Sequence, residues 1–267
     1  MTLPPDVTAS IHEIKELARP LATSAFWLSE VLKVSAIYLV AYLSAQLVIR
    51  RNVRVNYTRK INHFGIFFVP MLLALLFDYE RNAVTSLTSG LIFLVALAPF
   101  LAPVRRRLKI FATMFRSLDR PEDRPHTLVW LTTQVVAGYL VIFPMLLILD
   151  TFGKPFLIMI PILINAIGDG LAEPVGVRFG RRRYQVRALF TNKRYTRSIE
   201  GSACVFASAV AVTLLFAGSF TTAELIWGLV IIPVVSTLAE AWSPHTWDTP
   251  FIFLAGGASV LVVLAVF

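Results

Sequence analysis

Four stretches of this 267-residue chain hold residue types able to handle phosphate chemistry. The first is Asn165-Ala-Ile-Gly168-Asp169-Gly170-Leu-Ala172-Glu173-Pro174-Val-Gly176-Val-Arg178-Phe-Gly180. Asn165, Asp169 and Glu173 recur every four residues, so a continuous helix presents them on one face. Two carboxylates and an amide are hard oxygen ligands suited to Mg²⁺. Pro174 withholds a backbone N–H and disfavours helical geometry at Glu173, so the helix is expected to kink or end there. Glycines at 168, 170, 176 and 180 would let a ligand approach the backbone closely. Glycine-mediated helix packing is the plainer reading, but packing needs no pair of carboxylates.

The second stretch is Arg59-Lys60-Ile-Asn62-His63, placed where an apolar segment begins. Arg binds phosphate as a fork and Lys as a point charge, while His63 can exchange a proton near neutral pH. An interfacial anchor with a hydrogen-bonded histidine would look the same. The third is Lys193-Arg194-Tyr-Thr-Arg197-Ser-Ile-Glu200-Gly201-Ser202. Glu200, Gly201 and Ser202 fall at a predicted helix N-terminus, whose unpaired N–H groups suit anions. Capping explains Ser202 and Glu200 but leaves the adjoining cations without a role. The fourth is Glu240-Ala-Trp242-Ser-Pro-His245-Thr-Trp247-Asp248-Thr-Pro250, a polar turn without Lys or Arg. An interfacial tryptophan belt covers Trp242 and Trp247 but not Glu240, His245 or Asp248. Zinc-ligand spacing, the G-x-S-x-G elbow and the Walker A loop are all missing. Phosphoryl transfer needs none of them, since its catalysis is mostly positioning and electrostatic stabilisation.

The elements that must position these residues are set by composition. The chain is 57% hydrophobic and 15% charged, with a mean hydropathy of +0.71. Soluble domains run near 45–50% apolar and about 25% charged. Lipid is therefore the solvent for much of this chain. Apolar runs at 26–49, 63–77, 83–102, 127–149, 155–172, 202–218, 223–240 and 250–267 predict an all-α polytopic transmembrane bundle of about seven to eight membrane segments. Glu30 and Lys33 are spaced to pair on one face of the first. Residues 1–25 read as an N-terminal lead-in, amphipathic over 9–19, and 26–267 as one transmembrane catalytic bundle. Glu13 and Glu16 argue against a secretory signal. The single cysteine, Cys204, excludes an intrachain disulfide and reads as a small buried hydrophobe.

Net charge is +9, which in a soluble chain would point to nucleic acid. Here three connections, 50–62, 103–126 and 173–200, hold 20 of the 25 basic residues. The intervening turns hold only Arg81 and Lys154. That alternation follows the positive-inside rule and predicts the basic loops and the 240–249 turn to be cytoplasmic, against anionic lipid headgroups. Nucleic acid is not an expected partner.

At the four stretches the sequence resembles the CTP-dependent polyprenol and lipid kinases, the family of dolichol kinase, phytol kinase and the yeast-type CTP-dependent diacylglycerol kinase. The resemblance spans roughly residues 59–255. It rests on Arg59-Lys60 with His63, on Gly168-Asp169 followed by Ala172, Gly176 and Gly180, on Arg197 through Glu200-Gly201-Ser202, and on Glu240 with Asp248-Thr-Pro250. It implies CTP as donor, a divalent metal such as Mg²⁺, a membrane lipid alcohol as acceptor and a cytoplasm-facing site. Asp169 would then be a metal or nucleotide ligand, with Glu200 and Arg197 near the triphosphate. Glu173 stands where aspartate is common in the phytol kinase group, and Arg197 where lysine is common, which changes the reach of both charges.

The resulting expectation is a CTP-dependent kinase acting on an isoprenoid or other lipid alcohol. Asp169 with Glu173 or Glu200 would hold Mg²⁺, and Arg59, Lys60, Lys193 and Arg197 would neutralise phosphate. Asn165, Gly170, Gly176, Gly180, Gly201, Ser202, Glu240, His245 and Asp248 would complete the nucleotide site. His63, or else His245 or Asp248, would orient or deprotonate the acceptor. Two rivals remain: a phosphatidate cytidylyltransferase, which also joins CTP, metal and lipid, and a non-enzymatic lipid-binding or transport protein.

Overall fold

The computed structural model describes residues 15–189 and 191–267, so most of the lead-in expected at 9–19 lies outside the described residues. The helices are α1 (Ser24–Arg51), α2 (Val55–Ala74), α3 (Ala83–Ala96), α4 (Ala102–Arg107), α5 (Lys109–Phe115), α6 (Thr127–Thr151), α7 (Met159–Leu163), α8 (Gly170–Phe179), α9 (Ile199–Leu215), α10 (Thr222–Trp242) and α11 (Asp248–Val266). Between α8 and α9 lies a two-stranded antiparallel hairpin, β1 (Arg183–Arg187) and β2 (Arg194–Ser198).

Local chemistry sets the helix starts. Thr23 accepts from the Phe26 N–H, and Asn82 with Thr85 forms a capping box for α3. Ser198 Oγ accepts from Gly201 N at 3.1 Å to open α9. Thr221 and Glu224 box the start of α10. Each satisfies backbone N–H groups that a helix leaves unpaired. α1 stops at Asn52, which turns into the left-handed region with φ of 52°.

Six helical stretches are long and apolar enough to cross a bilayer: Ser24–Arg51, Ala83–Phe100, Thr127–Thr151, Pro155–Phe179, Thr222–Trp242 and Asp248–Val266. The apolar α9 is shorter, at 17 residues, and α2 has 20 but carries Arg59, Lys60, Asn62 and His63. The eight apolar segments read from the sequence thus all appear as helices of a polytopic membrane protein. Large side chains face outward along them, with Leu75, Leu140 and Leu215 at least 70% exposed. Hydrocarbon makes that exposure inexpensive, whereas water would not.

The stretch Pro155–Phe179 is the centre of the bundle. Its most apolar part is 67% buried, against 11% for Thr127–Thr151. Ile160 and Ile164 on it join Val205 of α9, Ile232 of α10 and Ile252 of α11 in the main core. The expected break at Pro174 does not occur, for α8 runs through it to Phe179. The irregularity falls earlier, in a π-turn over Ile164–Asp169. That wide turn marks a local irregularity one turn ahead of the proline.

The glycines expected to admit a ligand are pressed against neighbouring helices, although Gly176 and Gly201 also border a cavity. A Cβ at Gly168 would lie 2.9 Å from Val205 Cα, and one at Gly201 would lie 2.7 Å from the Ala172 carbonyl. Gly170 meets the Phe64 ring, and Gly180 has the Gly176 carbonyl and Ser198 where its Cβ would be. α8 therefore sits against α2 on one side and α9 on the other with no room for side chains between them. Cys204 is half-buried rather than buried.

The hairpin was not expected from the sequence, where 173–200 read as a basic loop. Tyr184 pairs with Arg197 and Val186 with Tyr195. Arg183, Gln185 and Arg187 are exposed on the other face, a period of two. The hairpin is tied to the α10–α11 turn by the His245 N–H, which donates to the Arg187 carbonyl at 2.8 Å.

Candidate functional site

The four stretches converge. A cavity of about 440 Å³ opens at one end of the bundle, lined by Arg59 and Lys60 of α2, Asp169, Glu173 and Gly176 of the central segment, Arg197 of β2, Gly201 and Ser202 of α9, and Glu240, His245 and Asp248 around the α10–α11 turn. Because α2 begins at Val55, its cations lie within the helix, Lys60 facing the central segment and Arg59 facing Asp123 in the connection before α6.

Lys60 is the innermost cation. Its Nζ reaches both oxygens of Asp169 at 2.9 Å, and Glu173 Oε2 lies 4.0 Å away. Lys60 and Asp169 are both buried, so this pair would be costly without mutual compensation. Asp248 comes from the first turn of α11 to within hydrogen-bonding reach of Asp169. Two carboxyl groups in contact require a shared proton or a cation between them. Beside Asp169 stands His63, with Nδ1 3.6 Å from Asp169 Oδ2 and Nε2 3.1 Å from the Asn165 carbonyl. A carbonyl only accepts, so Nε2 carries the proton and Nδ1 faces the carboxylate.

Glu173 is held by a residue the sequence reading treated only as a topology-setting charge. Arg120, in the connection before α6, donates to Glu173 Oε1 at 2.5 Å, to Asp123 Oδ2 at 2.7 Å and towards His245 Nε2 at 2.8 Å. Asn56 adds a bond to Glu173 at 2.8 Å, and Arg59 lies 3.5 Å from Asp123. Burial alone would lower the Arg120 pKa, but Glu173 and Asp123 outweigh it and raise it further. Burial would raise the Asp123 carboxyl, yet its hydrogen bond with His245 and then the neighbouring positive charge of Arg120 and Arg59 hold it below the usual carboxylate range.

His245 is pushed down to about 4, first by burial and then by the Arg120 charge beside it. Its Nε2 lies between the Arg120 guanidinium and Asp123 Oδ1, 3.1 Å away, so it accepts from the first or donates to the second according to its tautomer. The ring stacks on Tyr195 with centroids 3.6 Å apart and planes 9° from parallel. That stack fixes the hairpin over the cavity, and Tyr195 Oη donates to the Glu122 carbonyl at 2.9 Å.

A second network closes the far wall. Arg197 bonds the Glu240 backbone carbonyl, its carboxylate at 3.2 Å and Ser243 Oγ at 3.1 Å. Ser202 Oγ donates to Glu240 Oε2 at 2.8 Å and meets Tyr184 Oη at 2.7 Å. Arg54 and Arg183 also line the cavity, with no acidic partner among the described residues. Both remain available to an anion.

Six expected site residues do not line the cavity: Glu200, Lys193, Gly180, Gly170, Asn165 and His63, the last reaching it only through Asp169. Glu200 is turned away from Asp169, and its Oε1 accepts from the Arg182 N–H at 3.3 Å, closing the turn before β1. Its position at the helix start gives it backbone donors, which win it from the cavity. Lys193 is exposed near the hairpin turn, and Gly180 packs against Gly176 and Ser198. The metal set Asp169, Glu173 and Glu200 is therefore not assembled, and Glu173 is occupied by Arg120 and Asn56. No group of three or more His, Cys, Asp or Glu converges as a metal cage among the described residues. Asp169 with Asp248 is the carboxylate pair that does meet, and Mg²⁺ commonly takes one or two carboxylates plus substrate phosphates. These two residues fit that demand. Asn165 is fully buried beneath the cavity floor rather than lining it.

Arg120 and Asp123 were missed because a loop rich in arginine hides two members with a different task. Acids at 119, 122 and 123 inside a basic connection were the available signal. Arg54, Asn56, Glu122, Tyr195 and Arg183 carried no pattern that separates them from surface charge.

No family model matches the chain, and no solved structure matches it. The chain is 35% identical over 91 residues to a phytol kinase of Synechocystis sp. (strain ATCC 27184 / PCC 6803 / Kazusa), a match spanning 34% of this chain and 35% of that protein. The similarity thus ties about a third of this membrane-embedded helical chain to a lipid alcohol kinase.

Proposed function

We propose that the cavity is the active site of a CTP-dependent kinase that phosphorylates the hydroxyl of an isoprenoid or related lipid alcohol. The observation that carries the reading is convergence. Four sequence stretches separated by up to about 190 residues supply cations, paired carboxylates and a histidine to one cavity at one end of an apolar bundle. Partial similarity to a phytol kinase supports the choice of acceptor class.

In this reading the triphosphate lies among Arg54, Arg59, Arg183 and Arg197. Lys60 stays beside Asp169 and faces the transferring phosphoryl group, where a fixed positive charge offsets the charge on its equatorial oxygens. Asp169 and Asp248 would hold Mg²⁺ against the phosphate oxygens, and the ion would supply charge neutralisation. His63, with Nδ1 free of a proton, sits beside Asp169 on the side of the aromatic residues Phe64 and Phe67. It orients the acceptor hydroxyl and takes up its proton as the new P–O bond forms and CDP leaves. The lipid enters sideways from the bilayer and the nucleotide from the aqueous end. A transporter would place its acids along a continuous path through the bundle, whereas these acids gather at one end.

The test is purified protein in nanodiscs with Mg²⁺, CTP labelled at the γ-phosphate and a panel of phytol, geranylgeraniol, longer polyprenols, diacylglycerol and phosphatidate. Labelled lipid phosphate with release of CDP is expected. Release of labelled pyrophosphate would mean a cytidylyltransferase, and label remaining in CTP with every acceptor would end the kinase reading.

A further inference from the structure

Asn165 is the buried residue the site leaves unexplained. It is 0% exposed, and neither Oδ1 nor Nδ2 has a hydrogen-bond partner among the described residues. An amide at membrane depth with both ends unpaired is disfavoured, because hydrocarbon offers no substitute for water. Polar residues between transmembrane helices usually bond across the interface. This one does not.

Its surroundings point to an occupant. Asn165 lies one turn below Asp169 on the central segment, on the hydrocarbon side of the Asp169–Asp248 pair. The π-turn begins at Ile164, and the Asn165 carbonyl is taken by His63 Nε2. His63 therefore bridges Asn165 and Asp169, and the amide is the next polar group beneath it. Beside His63 runs a row of aromatic rings: Phe67 at 4.9 Å between centroids, then the buried Phe253 of α11 at 6.5 Å from Phe67. Phe64 flanks the same histidine at 6.0 Å. Phe64 and Phe67 are half-buried, so the row is open to lipid along α2 while its far end at Phe253 is packed inside.

We propose that Asn165 binds the hydroxyl of a neutral lipid alcohol, whose tail lies along Phe64, Phe67 and Phe253. A carboxamide offers one acceptor and one donor group to a hydroxyl, which needs both, and it carries no charge to attract phosphate. Held there, the hydroxyl oxygen lies beside His63 and below the carboxylate pair, on the opposite side from the arginine-lined part of the cavity. The inference rests on the kinase reading for its choice of ligand, but its test does not require turnover.

The experiment is thermal melting of detergent-purified full-length protein with and without geranylgeraniol, in the absence of nucleotide. The wild type is expected to melt several degrees higher with the alcohol, saturably, and not with the corresponding hydrocarbon. Asn165→Leu is expected to lose that shift while melting no lower than wild type on its own, since it removes an unpaired polar group. Asn165→Ala, which cannot overfill the site, should lose the shift as well. In the coupled assay the leucine variant should raise the KM for the alcohol about tenfold, the equivalent of one neutral hydrogen bond, with the KM for CTP unchanged. Phe67→Ala should weaken the shift for long alcohols more than for short ones. A wild type that ignores the alcohol, variants that keep the shift, or a leucine variant that melts well below wild type each overturn the proposal. An alcohol shift that depends on Asn165 without any phosphoryl transfer supports the hydroxyl site and removes the kinase reading instead.

Discussion

Asp169 is where the opposing demands on a single side chain are plainest. It is buried with Lys60 on both oxygens, Asp248 in contact and His63 alongside, so its charge is balanced only by those neighbours. Asp169→Asn keeps the shape and removes the charge. It is expected to lower turnover by about 10³-fold, the scale of losing a key electrostatic contact, while the protein still inserts and melts cooperatively. Full activity in that variant would remove Asp169 from the chemistry. Arg120 is a different case, since it joins Glu173, Asp123 and His245 without being the obvious phosphate ligand. Arg120→Ala removes the nearest counter-charge of two carboxylates, leaving Arg59 at 3.5 Å from Asp123 and Lys60 at 4.0 Å from Glu173, and a loss of about 3 kcal/mol in unfolding free energy is expected. His245 adds a pH signature. Its folded pKa is lowered to about 4 from 6.5, so the unfolded chain binds the extra proton between those values. Its contribution is complete above pH 6.5 and falls away as pH drops towards 4, by about 3 kcal/mol in all. Melting curves from pH 7.5 to 4.5 should therefore flatten in His245→Gln relative to wild type.

Elements carry two tests of their own. The central segment is pressed against α9 through Gly168, so Gly168→Ala drives a methyl group into the Val205 backbone at 2.9 Å. A loss of about 1–3 kcal/mol is expected there, whereas Gly218→Ala, with nothing within 4 Å, should be silent. In the other half of α1, roughly 30 Å from Arg51 along the helix axis, Glu30 is buried and bonded by Lys33 and by Ser89 of α3. Glu30→Ala strands the Lys33 charge and should cost about 3–5 kcal/mol, while replacing both Glu30 and Lys33 with Leu should recover most of it. Thermal melting of the single and double variants separates these outcomes.

For the whole molecule the open quantity is orientation. The cavity gathers residues from the three basic connections and from the 240–248 turn, so all four share one end. The positive-inside rule assigns that end to the cytoplasm. With Cys204 replaced by Ser, a cysteine at the exposed position 194 should react with a membrane-impermeant maleimide in inverted vesicles and not in intact cells. Labelling in intact cells would turn the molecule over and place the proposed nucleotide site on the wrong side for cytosolic CTP.

The bundle could be read directly from the chain because bilayer thickness acts on contiguous residues: an apolar run of the right length is a helix whatever surrounds it. The polar clusters Arg59–His63, Asn165–Glu173 and Glu240–Asp248 were readable for the same reason, as charges standing against that background. Which of these residues face one another depends on helix rotation and on interhelical distance, and neither leaves a mark in local composition. Glu200 went to its own backbone, Asp248 took the place beside Asp169, and Arg120 crossed from a basic loop to hold Glu173. The hairpin also eluded the pattern, since a strand of five residues gains its stability from the partner it pairs with and the turn it docks against, both distant in sequence.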